Sequence, residues 1–115
     1  GIAAVRAEWA AARVPVPTRI WRSVGHSFNT FATEAFVDEI AGLRGADPLE
    51  FRARLLVDSP RLAACLARVR EASGWAQALA DGRFLGVACG RCMGAFAAVV
   101  VRLAVDGDPR LVDSI

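Results

Sequence analysis

The 115-residue sequence has no tyrosine and no lysine, so all 14 of its basic side chains are arginine, a bias of composition to which no function is attached. It has a single histidine and three cysteines. An odd, irregularly spaced set of thiols excludes a disulfide-stapled secreted scaffold. The longest apolar stretch, Met93 to Val101, is stopped by Arg102 and is far shorter than the roughly 20 residues that a membrane-spanning helix needs. Charge of one sign is missing as well: 14 basic against 12 acidic residues, interspersed, leave a formal net charge of +2. That balance gives no footprint for nucleic-acid binding. Residues Gly1 to Arg6 lack the basic and apolar regions of a signal peptide. They read as a cut, and Leu111-Val112-Asp113-Ser114-Ile115 reads as the start of a strand, so the expectation is a piece of something longer.

What is present is enough apolar material, 55% of residues, for one small globular unit. Residues 3–13 are alanine-rich and helical by propensity, whereas Pro15 and Pro17 force the stretch from Val14 to Trp21 into extended geometry. Ser27 is a candidate N-cap for a helix from Phe28 to Leu43. Phe28, Ala32, Phe36, Ile40 and Leu43 form its apolar stripe, widened by Phe31 and Ala35, and are expected to face the core. Gly42 and Gly45 mark its end. Asp47-Pro48-Leu49-Glu50 has the spacing of a capping box and starts a second helix, to about Leu56. Ser59-Pro60 repeats the device for a third, in which Leu62, Cys65, Leu66, Val69 and Ala72 share a side, Gly74 closes the helix and Trp75 packs back. After Asp81-Gly82 the pattern turns to strands: Phe84 to Ala88, then Ala97, Val99, Val101, Leu103 and Val105 alternating with a set that includes Arg102. Asp106-Gly107-Asp108-Pro109 is turn chemistry that would return Leu111-Val112 as a hairpin partner. The class is α+β: an extended segment over 1–21, a helical part over 28–74, and antiparallel strands over 84–115.

Cys89-Gly90-Arg91-Cys92 places two thiols two residues apart, the spacing of a redox disulfide or half a tetrahedral metal site. The remaining ligands are missing, since only His26 and Cys65 are left, so small residues at a strand junction are the favoured reading and no metal site is assigned. His26 is read as a turn residue. Gly86, Gly90 and Gly94 match no phosphate-binding fingerprint. Glu34, Asp38 and Glu39 are read as a solvated helix face.

The stretch Val16-Pro17-Thr18-Arg19-Ile20-Trp21-Arg22-Ser23-Val24-Gly25-His26-Ser27-Phe28-Asn29, followed by Phe31, Glu34, Phe36, Asp38-Glu39-Ile40-Ala41 and Asp47-Pro48-Leu49-Glu50-Phe51-Arg52, resembles the molybdopterin-binding large subunit of the xanthine dehydrogenase and aldehyde oxidase family, in its isoquinoline 1-oxidoreductase beta-subunit form. The likeness spans most of residues 5–75, and the strand region after Gly86 resembles the family less specifically. It implies a molybdenum-dependent oxidoreductase that hydroxylates an aldehyde or N-heterocycle with water-derived oxygen. The implied cofactor is molybdopterin, in its cytosine dinucleotide form, with iron-sulfur clusters on a small partner subunit. Trp21, Arg22, Ser23, Val24 and Gly25 match the family segment that approaches the pterin. Arg22 is then expected to point into a cleft without an intramolecular carboxylate partner, since a guanidinium fork suits pterin or phosphate oxygens. The family often has Gln where Phe28 stands, and its general-base Glu lies near the far end of a much longer chain, so no catalytic residue is assigned and this piece alone is expected to be inactive. The resemblance also favours extended geometry, not helix, for residues 3–13. The alternatives are a thiol redox or metal-binding domain using Cys89 and Cys92, or a non-catalytic structural domain. Compartment, cytoplasmic or periplasmic, is left open.

Overall fold

The computed structural model describes residues 3–17, 19–78 and 84–103, with the backbone alone at 77 and 78. Residues 3–17 form neither helix nor strand and are exposed: Pro15 and Pro17 exclude helix from Val14 onward, and over residues 3–13 the alanine propensity has no packed face to reinforce it. Four helices follow: α1 (His26–Leu43), α2 (Pro48–Leu55), α3 (Pro60–Ser73) and the single turn α4 (Trp75–Ala78). Two strands, β1 (Phe84–Cys92) and β2 (Ala95–Leu103), pair antiparallel with Val87 opposite Val100 and Cys89 opposite Ala98. The architecture is α+β. Val105, the turn at 106–109 and Leu111-Val112 lie outside the described residues.

Local chemistry explains most of the boundaries. Asp47 caps α2 by accepting from the amides of Leu49 and Glu50, both at 2.9 Å, with Pro48 at the first helical position. Glu50 pairs with Arg70 of α3 instead of returning to the cap, so only half of the capping box closes. α1 ends on Gly45 (φ +58°), with the Ala46 amide donating to Ala41 and the Gly45 amide to Gly42, which is the Schellman closure. Gly74, at φ +59°, ends α3.

The start of α1 differs from expectation. It begins at His26, two residues early, and Ser27 is not its cap: the Ser27 hydroxyl donates back to the Val24 carbonyl at 3.3 Å. The hairpin differs too. β1 runs on through Cys92, so Cys89-Gly90-Arg91-Cys92 is strand interior, and the turn is Met93-Gly94, with φ of +48° and +86°. Both turn residues are left-handed, as a two-residue type I′ hairpin demands.

One core unites these pieces. Leu49, Leu62, Leu66, Trp75, Val87 and Cys89 are buried together, with Val69, Leu85, Phe96, Ala98 and Val100 packed around them. Leu62, Leu66 and Trp75 bear out the reading of α3, although Ala72 is exposed. In β2 the set in phase with Arg102 (Phe96, Ala98, Val100) faces the core, and Ala97, Val99, Val101 and Leu103 face out.

The largest correction concerns α1. Phe28 (66% exposed), Phe36 (61%) and Leu43 (87%) lie on the open side of the helix, and Ala41 is its sole buried residue. Glu34 and Asp38, read as a solvated face, turn inward onto Arg52, which is 2% exposed. The reason is that a buried guanidinium must be paired, and α1 supplies two carboxylates one helical turn apart.

Candidate functional site

The segment from Trp21 to Gly25 folds as two overlapping turns. The Val24 amide donates to the Trp21 carbonyl and the His26 amide to the Ser23 carbonyl, each at 3.0 Å. Ser23 and Val24 have φ of +69° and +52°. Consecutive left-handed residues other than glycine are costly, the more so for a β-branched valine, and each such residue stores on the order of 1–3 kcal/mol. Gly25 completes the turn where space is short, since a Cβ there would lie 3.2 Å from the Asn29 side chain. The strained turn delivers the chain into α1, an 18-residue helix with no side-chain cap and no acidic residue in its first turn. Its amide dipoles therefore meet no negative side chain there.

Beside this turn, a cleft of about 360 Å³ opens between α1 and the hairpin. Ser23, His26, Ser27 and Thr30 form one wall; Ala88, Gly90, Cys92, Ala95 and Ala97 form a floor of small side chains, and Arg91 also lines it. Among the described residues no carboxylate lines the cleft. Gly90 sets the spacing of wall and floor: a Cβ there would come within 3.2 Å of the Thr30 methyl. Small floor residues leave room for a flat ligand, and hydroxyl, imidazole and guanidinium groups at the rim suit one rich in hydrogen-bond acceptors.

Of the five residues singled out from the sequence, Ser23 lines this cleft. Trp21, Arg22 and Val24 are exposed next to it, and Gly25 is half-buried as the residue preceding α1. Among the described residues Arg22 forms no ion pair, and the carboxylates of Glu34 and Asp38 are taken up by Arg52.

Behind the cleft, a network that sequence reasoning missed fixes its geometry. Arg52 donates through Nε to Glu34 at 2.8 Å, through Nη1 to Asp38 at 2.6 Å and to the Pro48 carbonyl at 3.0 Å, and through Nη2 to the Glu34 carbonyl at 3.0 Å. The Glu34 oxygen that receives Arg52 also accepts the Cys89 amide at 2.8 Å. One carboxylate thus ties α2, α1 and the outer edge of β1 together. The signal was the i, i+4 spacing of Glu34 and Asp38, which puts both acids on one side of a helix.

The thiols do not form a working pair. Three residues apart in one strand, Cys89 and Cys92 point to opposite faces of the hairpin, which is the wrong geometry for a shared disulfide or a shared metal. Burial, followed by the nearby Glu34 charge, pushes the Cys89 thiol up to about 11, away from the lowered value of a reactive cysteine. Among the described residues no three His, Cys, Asp or Glu side chains are grouped to hold a metal ion, and no helix is long and apolar enough to cross a membrane.

Comparison with known proteins gives one strong likeness. Over 70 residues, 58% of the chain, the sequence is 43% identical to the isoquinoline 1-oxidoreductase subunit beta of Brevundimonas diminuta, and it covers 9% of that protein's length. The chain is thus similar to a small part of an oxidoreductase subunit. No protein-family profile and no solved structure matches it.

Proposed function

We propose that this chain is part of the large, cofactor-binding subunit of a molybdenum-dependent oxidoreductase that hydroxylates an aldehyde or N-heterocycle. The observation that carries this reading is the 43% identity over 70 residues to an isoquinoline 1-oxidoreductase subunit beta. The geometry supports it on one point: the strained turn and a cleft lined by no carboxylate of the described residues present donors to an acceptor-rich, flat ligand, which is the chemistry of a pterin and its phosphate.

When bound, molybdopterin, here in its cytosine dinucleotide form, supplies the redox centre at which water-derived oxygen reaches the substrate carbon. The chain's own residues bind and orient. Ser23 and Thr30 offer hydroxyls from the wall, Arg22 and Arg91 offer guanidinium groups that form no ion pair among the described residues, and the left-handed turn at Ser23 and Val24 holds the segment from Trp21 to Gly25 beside the cleft. Electrons would leave through iron-sulfur clusters on a small partner subunit. The general base belongs to a part of the subunit beyond these residues.

The test is Arg22→Ala in the complete subunit, co-expressed with its partner. Arg22 covers no buried carboxylate, so its loss should leave the fold intact while molybdenum content and hydroxylation, read as incorporation of ¹⁸O from labelled water, fall at least tenfold. Unchanged metal content and rate would remove Arg22 from the site.

A further inference from the structure

The apolar stripe of α1 is regular and has no cover among the described residues. Phe28, Ala32, Phe36 and Leu43 recur at the spacing of one helix face, and all four are exposed, with the three large side chains 61–87% open. A stripe of that regularity in a helix is a burial surface, and an exposed apolar band of this kind marks a contact. The opposite face of α1 is already engaged by Arg52 and the hairpin, so the helix cannot turn its aromatics inward without breaking the buried ion pairs. The stripe therefore needs a partner from outside the described residues.

We infer that the stripe formed by Phe28, Ala32, Phe36 and Leu43 is the docking face for another segment of the same subunit, an apolar element lying along α1. This rests on the reading of the chain as part of a larger subunit. Length argues for that occupant: the shared stretch is 9% of the matching relative, so in a subunit of that relative's size most of the polypeptide able to cover the stripe would lie outside the shared stretch. Glu39 is exposed on the same side of α1, so the covering element must offer it a donor or leave it at the rim.

The test is hydroxyl-radical footprinting of the complete subunit, read by mass spectrometry at Phe28 and Phe36. Both should be protected at least fivefold relative to the urea-unfolded protein, whether or not the iron-sulfur partner is bound, and Phe36→Asp should lower the Tm of the subunit. Oxidation of both rings at the unfolded rate, with Phe36→Asp leaving Tm unchanged, would overturn the inference. Protection that appears only with the iron-sulfur subunit, or only in a homodimer, would overturn it also, by assigning the face to another chain. Metal content plays no part in this readout, so the inference and the molybdenum reading fail separately.

Discussion

Arg52 and Glu34, eighteen residues apart in sequence, meet at 2.8 Å in the least exposed ion pair of the described residues, and the same Glu34 oxygen holds the Cys89 amide at the edge of the hairpin. The pair sets how α1 lies against β1, and so it sets the width of the cleft. Arg52→Met should destabilise the fold by about 3–5 kcal/mol in urea denaturation, because it strands a largely buried carboxylate. Asp38→Asn, at the half-exposed end of the network, should cost only about 0–1 kcal/mol. Combining Arg52→Met with Glu34→Gln should cost less than the sum of the two, since the largely buried charge of Glu34 is then gone and Asp38, left without Arg52, is half-exposed to solvent.

Asp47 gives the fold an acid-sensitive point. Burial raises its carboxyl, but the Trp75 indole N–H at 2.7 Å, the Glu50 and Leu49 amides and the charge of Arg70 outweigh that, and hold it below the usual carboxylate range. A depressed value in the folded state means that the stabilisation is present above about pH 4 and is lost as pH falls through the folded value. Urea midpoints measured between pH 5 and pH 2 should therefore fall more steeply for the wild type than for Asp47→Asn.

Cys89 should behave as a core side chain. Its raised pKa favours the neutral thiol, so this contribution is intact below about pH 8.5 and declines as pH rises toward 11. At pH 8 Cys89 should resist alkylation in the native state and react once the protein is unfolded, and mild oxidant should produce no bond between Cys89 and Cys92. Rapid native labelling of Cys89 would restore the thiol reading.

The hairpin turn is improvable. Met93 is exposed and left-handed at φ +48°, a conformation that asparagine tolerates better. Met93→Asn should raise stability by roughly 0.5–1 kcal/mol, measurable as an upward shift of the urea midpoint.

The legible parts of this chain were those governed by local chemistry. Asp47-Pro48, Pro60 and Gly74 bounded their helices because caps, prolines and left-handed glycines act within a few residues, whereas Ser59 stands at the N-cap of α3 without making a side-chain cap hydrogen bond. The orientation of α1 was not legible, since its apolar stripe is real but is not used by the core described here, and a lone arginine gives no sign that it will be buried between two acids. Met93 hid the hairpin turn, because no Asn-Gly or Asp-Gly pair announced it, and so the strand around Cys89 looked broken. In the site, Ser23 was found through its neighbourhood in the motif, whereas Thr30 and Gly90 emerged only when α1 came to rest against β1.

The molybdenum reading is tested most directly by the metal and nucleotide content of the complete subunit carrying this sequence, purified with its partner. Molybdenum is expected at close to one atom per large subunit, with a cytosine nucleotide released on acid hydrolysis in equal amount. A folded, partnered protein with neither molybdenum nor pterin would contradict it.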